Sequence, residues 1–256
     1  MEVHDVAQYV HWNLPLPEFY IQDLVPKNGV MLVFGDPKVK KSWLVQHMGF
    51  SIACGLPWLG FDVLQARAMV VNFEISNISY AWRLRNMFNT GQFPLQEMMF
   101  YETSPGLMYI DQTESFNAFM AVVRGFAPQV LILDCMAACY GGDENNGRDM
   151  AVFIEKLSQL KTELNCSIIL VHHTNKNMMV AGSVNRARGH SRLTGWVDTL
   201  MYMADTHAGV QLQVKARQAT REIPPINIRF NQFNWNRTGN NPRTNNVPQG
   251  GGNGLI

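Results

Sequence analysis

The chain has 256 residues, of which 46% are hydrophobic and 16% charged, and this is enough apolar content for one large core. Its formal net charge of +1 argues against a uniformly basic nucleic-acid coat, although basic groups can still gather on a few loops. No apolar run reaches the roughly 18–20 residues of a membrane helix, and the acid-containing N-terminus lacks the apolar stretch of a signal peptide. We therefore expect no membrane partner. The four cysteines have neither zinc-like nor disulfide-framework spacing, so we expect a cytoplasmic protein.

From residue 30 onward, short apolar runs alternate with stretches of helical periodicity. Strands are predicted at Val30–Phe34, Ala68–Phe73, Met98–Tyr101, Val130–Leu133, Ser167–Val171, Thr199–Met203, Val210–Val214 and Ile226–Phe230. Helices are predicted at Lys41–Cys54, closed by Gly55 and Pro57, and at Asn77–Asn89, Ser115–Gly125 and Asp149–Leu164. The pattern predicts an α/β fold with a mostly parallel central sheet flanked by helices and with C-terminal antiparallel hairpin strands.

Composition changes at both ends of the chain. Residues 1–29 form a lead-in that is rich in proline and aromatic residues, and we assign residues 1–237 to one domain. Residues 238–256 are rich in Asn, Gly and Pro and carry little apolar content, so they are expected to form a flexible tail.

A phosphate-binding loop is predicted where GDPKVKKS lies between the first strand and the first helix. Backbone amides and the helix N-terminus would hold phosphates, Lys41 would reach the β- and γ-phosphates, and the Ser42 hydroxyl would bind Mg²⁺. ATP and Mg²⁺ are therefore the expected ligands. The residues predicted to contact the nucleotide are Gly35, Asp36, Pro37, Lys38, Val39, Lys40, Lys41, Ser42 and Trp43.

One position departs from the phosphate-loop pattern, because Lys40 stands where a second glycine is expected. A side chain there must avoid or tolerate a positive φ, and it would lie near the nucleotide. The alternative for the octapeptide is a surface turn with three lysines before an ordinary helix.

Two carboxylates follow predicted strands, at the sheet edge where ligands bind in open α/β folds. Asp134 ends the apolar run VLIL and would hold Mg²⁺ through water, whereas a capping role is the simpler alternative. Glu74 follows VVNF and could orient or deprotonate the attacking water, although a surface glutamate opening the next helix would be favoured on its own.

Two adjacent histidines follow the apolar run SIILV. A polar group here can sense a γ-phosphate, and since neighbouring strand residues face opposite ways, we favour His173 over His172. Zinc binding is disfavoured because neither a cysteine nor a carboxylate lies at ligand spacing from them.

Basic residues occupy two later segments. The long polar loop over residues 174–191 is functional or disordered, and it could contact nucleic-acid phosphates. The candidate contacts in it are Lys176, Arg186, Arg188 and His190. Lys215 and Arg217, two residues apart, could supply an arginine finger to a neighbouring subunit, or could simply form a solvated strand face.

The order of these motifs resembles the RepA-like family of hexameric replicative helicases and related AAA-type ATPases within the RecA-like superfamily. The resemblance runs from about Leu24 to Arg217. It rests on DLVPKNGVMLVFGDPKVKKSWL, ACGLPWLG, VVNFEIS with YAWRLR, VLILDCMAACYGGDEN, IILVHHTNK, RARGHSRLTGWVDTLMYM and VKAR.

The resemblance implies a RecA-like P-loop NTPase. It also implies that Glu74 is the catalytic carboxylate, Asp134 the acid that holds Mg²⁺ and His173 the sensor. Arg217, with Lys215 beside it, would be the trans-acting finger, and the loop from Lys176 to Ser191 would face a central DNA channel.

The expected function is that of a homohexameric ATP-dependent DNA helicase or translocase in replication. Its expected partners are single-stranded DNA, further copies of the chain and other replication proteins. The alternatives are a recombinase-type filament ATPase and a non-hydrolysing nucleotide-binding scaffold or helicase loader.

Overall fold

A computed structural model describes residues 5–7, 17–36, 38–94, 100–173 and 191–239. The strands are β1 (Phe19–Ile21), β2 (Val25–Pro26), β3 (Val30–Gly35), β4 (Ala68–Asn72), β5 (Phe100–Thr103), β6 (Val130–Asp134), β7 (Ser167–His173), β8 (Thr199–Thr206), β9 (Gly209–Ala216), β10 (Ile226–Asn231) and β11 (Asn234–Thr238). The helices are α1 (Lys41–Cys54), α2 (Asn77–Phe88), α3 (Thr113–Phe126), α4 (Met136–Cys139), α5 (Gly147–Leu164) and α6 (Ser191–Trp196).

Nine of the strands form one sheet in the order β11-β10-β9-β8-β3-β7-β6-β4-β5. The six strands from β8 to β5 run parallel, and β9, β10 and β11 continue the sheet as an antiparallel meander. This topology confirms the predicted RecA-like fold with its parallel core and antiparallel C-terminal strands. The carboxyl ends of β3, β4, β6 and β7 consequently meet at one edge of the sheet, which we call the carboxyl edge.

Helices cover the sheet on both faces because its central strands alternate two apolar sets of side chains. Met31 and Val33 of β3 belong to one buried cluster with Leu44 and Met48 of α1. Leu32, the residue between them, belongs to a second cluster on the opposite face. That second cluster includes Phe116, Phe119 and Val123 of α3 and Phe153, Leu157 and Leu160 of α5. The sheet is therefore buried on both sides, as continuous apolar strands require.

Helix α1 lies close against the sheet because it carries a glycine at the contact. A Cβ built on Gly49 would meet Ile132 Cδ1 at 2.9 Å and the Phe100 ring at 2.7 Å. The helix ends as predicted at Gly55, whose left-handed conformation (φ 68°) lets its N–H reach the carbonyl groups of Ile52 and Ser51. These contacts hold the middle of α1 against the sheet and define its end.

Several elements were not predicted from the sequence. The lead-in contains the antiparallel pair β1 and β2, and Ile21 and Leu24 within it are fully buried in the core. The short helix α4 and the last strand β11 were also missed. Residues 98–99 of one predicted strand and residues 240–256 of the predicted tail lie outside the described residues. In the ranges that are described, no helix combines the length and the apolar character needed to cross a bilayer.

Candidate active site

The loop between β3 and α1 holds the Lys41 ammonium group close to its own backbone. Lys41 is 4% exposed, and its Nζ donates to the carbonyl oxygens of Gly35 at 3.0 Å and Asp36 at 2.8 Å. Burial lowers the pKa of Lys41, and this effect is opposed chiefly by the nearby Asp134 carboxylate. The lysine therefore lies at the carboxyl edge, within the electrostatic field of the acids described below.

Lys40 adopts the backbone conformation that a glycine would take at its position, with φ 63° and ψ 40°. For a residue with a Cβ this left-handed geometry costs about 1–2 kcal/mol. Its ammonium group lies 5.3 Å from the centre of the Phe230 ring on β10, at cation–π distance. Lys40 thus keeps the left-handed conformation expected of the glycine it replaces, and its side chain is directed towards β10.

Strand β8 contacts Asp36, the acidic residue of the loop. The Tyr202 hydroxyl donates to Asp36 Oδ1 at 2.9 Å, and the Asp205 N–H donates to Asp36 Oδ2 at 3.4 Å. Burial, aided by the bond to Asp36, raises the pKa of Tyr202 to about 12, so the phenol remains a donor. Tyr202 was not predicted as a site residue, because nothing in the spacing of residues along β8 pairs it with the loop.

Ser42 and Asp134 meet at the start of α1 and the end of β6. The Ser42 hydroxyl donates to Asp134 Oδ1 at 3.1 Å. Burial raises the pKa of Asp134 to about 6, and the bond from Ser42 partly opposes this rise. A hydroxyl and a carboxylate are hard oxygen donors of the kind that Mg²⁺ prefers, so these two residues fit the predicted ion.

Glu74 follows β4 at the same edge, on a turn that Asn72 shapes. Asn72 Oδ1 accepts from the N–H groups of Glu74 at 3.3 Å and Ile75 at 3.1 Å. Glu74 Oε1 lies 3.2 Å from His173 Nε2 and accepts from Cys135 Sγ at 2.8 Å. The hydrogen bond with His173 is the largest cause of a lowered pKa for Glu74, which favours the ionised carboxylate.

The two adjacent histidines point in opposite directions, as their strand positions predicted. His173 faces Glu74, whereas His172 is buried on the other side with Nδ1 4.0 Å from Glu144 Oε1. Zinc binding was disfavoured from spacing along the sequence, but in space a cysteine and a carboxylate do lie beside His173. Cys135 and Glu74 arrive from two other strands, and such a meeting has no spacing signal along the chain.

An aromatic cavity of about 490 Å³ opens beside the start of α1. It is lined by Trp43, Ile78, Ser79, Trp82 and Arg83. The Arg83 guanidinium lies 4.6 Å from the centre of the Trp43 ring, and Trp82 is 55% exposed. No role was predicted for the α2 residues of this cavity, although the stretch YAWRLR was part of the family resemblance.

Lys215 and Arg217 lie at the opposite edge of the sheet. Because β9 runs antiparallel to β8, its last residues lie beside the start of β8 and of β3. The Arg217 N–H donates to Asp198 O, and Asp198 Oδ2 accepts from the Val30 N–H. Strand spacings place Arg217 roughly 15–20 Å from the loop at Gly35. Arg217 is exposed and donates to the Gly195 carbonyl group, and β9 lies between β8 and β10, two strands in from the outer strand β11. Lys215 and Arg217 therefore lie far from Lys41 of the same chain.

The predicted nucleic-acid contacts are not tested by the structure. Lys176, Arg186, Arg188 and His190 lie outside the described residues, as does Pro37 of the phosphate loop. Trp43 and Val39 are described; Val39 is buried in the core, and Trp43 forms one wall of the aromatic cavity.

Comparison with known proteins agrees with the geometry of the site. A family model described as an AAA domain matches residues 2–179, more than half of the chain and including Lys41, Glu74, Asp134 and His173. No curated protein sequence matches the chain at a significant level. On the strength of the family match and of the fold around the phosphate loop, the chain belongs to the AAA domain family of P-loop ATPases.

Proposed function

We propose that the chain hydrolyses ATP at the carboxyl edge and couples hydrolysis to work on single-stranded DNA. The main support for this proposal is the convergence of a buried lysine, a hydroxyl–carboxylate pair and a carboxylate–histidine pair at this edge. These groups come from α1 and from the ends of β4, β6 and β7. Phosphoryl transfer needs this combination of positioning and positive charge, with a group that orients water.

Each side chain has a distinct task in this proposal. Lys41 would leave the carbonyl groups of Gly35 and Asp36 for phosphate oxygens, which are stronger acceptors. The ionised Glu74 would orient the attacking water. His173, in contact with Glu74, would report on the γ-phosphate through that contact. Asn72 would fix the position of the turn that carries Glu74.

Mg²⁺ would be held by the Ser42 hydroxyl and the Asp134 carboxylate. When bound, the ion supplies positive charge to the phosphate oxygens. Its binding also favours the ionised form of Asp134, whose burial would otherwise favour the neutral acid.

The aromatic cavity suits the base of the nucleotide. It begins at Trp43, the residue after Ser42, and it offers the indole groups of Trp43 and Trp82 with the Arg83 guanidinium. Flat aromatic and guanidinium groups stack on bases without selecting strongly among them. We therefore assign the base end of ATP to this cavity.

The oligomer in the proposal is a ring of six copies, which the family resemblance suggests. An arginine finger at Arg217, assisted by Lys215, is too far from the loop of its own chain to act there. In a ring it would act on the ATP of a neighbour.

The central channel of the proposed ring would contact DNA phosphates through Lys176, Arg186, Arg188 and His190. Other replication proteins would be further partners. The described cysteines are all free thiols, which supports the cytoplasm as the location.

The proposal is tested by ATPase rates with and without single-stranded DNA, measured on wild-type protein and on Glu74→Gln. We expect stimulation by DNA in the wild type and near-complete loss of turnover with retained ATP binding in the variant. Images of the same sample should contain closed six-fold rings. ATP binding without turnover in the wild type would select a nucleotide-binding scaffold, and open filaments on DNA would select a recombinase-type ATPase.

DNA contact has its own test. Removing the charges of Arg186 and Arg188 together should weaken single-stranded DNA binding and reduce the salt dependence of affinity, while basal ATPase changes little. Unchanged DNA affinity across a salt series would remove the loop from the proposal.

A further inference from the structure

Three chemically different metal-binding side chains meet at the carboxyl edge, and one of them is Glu74, the proposed water-orienting group. Glu74, Cys135 and His173 come from the ends of β4, β6 and β7, three strands that are adjacent in the sheet. One donor atom from each lies within 4.8 Å of the other two. Within this trio, Sγ of Cys135 is 2.8 Å and Nε2 of His173 is 3.2 Å from the same oxygen, Glu74 Oε1.

The donor set differs from the hard oxygen pair that suits Mg²⁺. A thiolate, an imidazole nitrogen and a carboxylate oxygen are the ligands that Zn²⁺ takes, at about 2.3, 2.0–2.1 and 2.0–2.2 Å. Two ligands of one tetrahedral ion are therefore roughly 3.3–3.6 Å apart, by geometry from those lengths. The separation of 3.2 Å between His173 Nε2 and Glu74 Oε1 is close to that spacing. The separation of 2.8 Å between Cys135 Sγ and Glu74 Oε1 is shorter, so the carboxylate would have to move roughly 0.5–0.8 Å away from the sulfur to admit the ion.

Access and support also fit a cation. Cys135 is fully buried, which keeps its sulfur fixed, whereas the side chains of Glu74 and His173 are 39% and 42% exposed. An ion can therefore enter from the solvent side between the carboxylate and the imidazole. Three protein ligands would leave a fourth position for water.

We propose that Glu74, Cys135 and His173 form a binding site for a thiophilic divalent cation, with Zn²⁺ strongly preferred over Mg²⁺, and that its occupancy stops ATP turnover. On binding, the Cys135 S–H bond breaks, the proton passes to solvent and a sulfur–zinc bond forms with no change of oxidation state. Coordination also occupies Glu74 and His173. The inhibitory half of this inference rests on the proposed function, because it needs Glu74 to orient the attacking water; the binding half does not.

Binding is measured directly with Co²⁺ as a spectroscopic probe and with Zn²⁺ in competition. The wild-type protein should bind one Co²⁺ at this site and develop a near-ultraviolet thiolate-to-Co²⁺ charge-transfer band, which Zn²⁺ removes. Cys135→Ser should lose the band. Cys166→Ser is the matched control, since Cys166 is an equally buried thiol before β7, and it should keep the band.

A second variant keeps the test independent of the buried position. His173→Gln changes a half-exposed side chain and should weaken Zn²⁺ binding by at least about tenfold, since even indirect supporting partners of metal ligands are worth that much. Far-ultraviolet circular dichroism verifies that each variant is folded. A wild type without the band, a band that persists in Cys135→Ser, or unchanged Zn²⁺ affinity in His173→Gln would overturn the site.

Inhibition is measured as the ratio of ATPase rates with and without Zn²⁺, at saturating Mg²⁺, within each variant. This ratio should be one tenth or less for the wild type and for Cys166→Ser, at least a tenfold loss of rate. It should stay near one for Cys135→Ser. Bound Zn²⁺ with an unchanged rate would overturn the inhibitory half. If the wild type hydrolyses no ATP under any condition, the proposed function fails, and the Co²⁺ band still decides the metal site.

Discussion

The Ser42 hydroxyl donates a 3.1 Å hydrogen bond to Asp134 Oδ1 and so connects the first turn of α1 to the end of β6. The carboxylate is only 4% exposed, and its pKa is raised to about 6. At neutral pH the fold thus contains a buried negative charge, stabilised by this hydroxyl and by the cations nearby. Protein stability and ATP hydrolysis place opposite demands on this carboxylate.

Asp134→Asn should therefore stabilise the protein while abolishing ATP turnover. A carboxyl whose pKa rises from 3.8 to about 6 on folding favours the fold below pH 3.8, and this contribution is lost as pH rises through about 6. The shift corresponds to about 3 kcal/mol, from 1.36 kcal/mol per pKa unit. In denaturant unfolding without Mg²⁺, the free energy of unfolding of Asp134→Asn should exceed that of the wild type by up to this amount at pH 7.5. The difference should be much smaller at pH 4.

The control for this comparison is Glu155→Gln, which changes an exposed carboxylate on α5. It should not show the pH-dependent gain in the free energy of unfolding that is expected for Asp134→Asn. Equal pH profiles for wild type and Asp134→Asn would mean that the carboxylate is not held in the buried state described.

Lys41→Ala should reduce ATP turnover by at least roughly 10²–10³-fold, since losing one well-placed electrostatic group costs this much in other enzymes. The physical reason is that Lys41 is the buried ammonium group at the phosphate loop. Lys161→Ala, at the end of α5 and away from the loop, is the matched charge control. Steady-state ATPase assays measure both, and normal turnover in Lys41→Ala would show that the loop register is wrong.

Lys40→Gly should be more stable than Lys40→Ala by about 1 kcal/mol, because only the glycine escapes the cost of a Cβ at φ 63°. Both variants lose the cation–π contact with Phe230, so that contribution cancels in the comparison. Turnover in Lys40→Gly should equal or exceed that of the wild type. Urea unfolding and ATPase rates give the two readouts, and an alanine variant as stable as the glycine variant would contradict the strained geometry.

Arg217→Ala should nearly abolish ATPase activity and leave ATP binding largely intact, because a trans-acting finger is worth roughly 10³–10⁵ in turnover in related NTPases. Mixing Arg217→Ala with Glu74→Gln subunits should recover activity, since some interfaces would pair an intact Glu74 with an intact Arg217. Fluorescently labelled subunits establish that exchange occurs. If subunits exchange and the mixture stays as inactive as both parents, the trans assignment fails.

The local pattern of the sequence was enough to predict the elements that build the site. Helix α1 was predicted with both of its ends, because a strand, a phosphate-loop pattern and a terminal glycine define them. Asp134 and Glu74 were placed at strand ends, and the structure brings them to one edge. These residues were accessible because each is adjacent in sequence to the apolar run that positions it.

Contacts between strands could not be predicted in the same way. No role was assigned to Cys135 from the sequence, since its neighbours Glu74 and His173 are 61 and 38 positions away along the chain. Tyr202 was missed for the same reason, as its bond to Asp36 spans two strands. The position of Arg83 in the cavity depends on the packing of α2 against Trp43, which is a contact between elements and was not predicted. These groups come together through the order of the strands in the sheet, and that order cannot be predicted from local patterns in a single sequence.

Strand β8 is attached at both ends to the strand that carries the phosphate loop. Tyr202 and Asp205 hold Asp36 at one end, and Asp198 bonds to both Val30 and Arg217 at the other. Sliding of β8 past β3 would break both sets of bonds, so a displacement of the loop must carry the whole strand with it. In the proposed ring, the arrival of a nucleotide in one subunit would therefore be transmitted mechanically to the site of the next, without any element having to fold or melt.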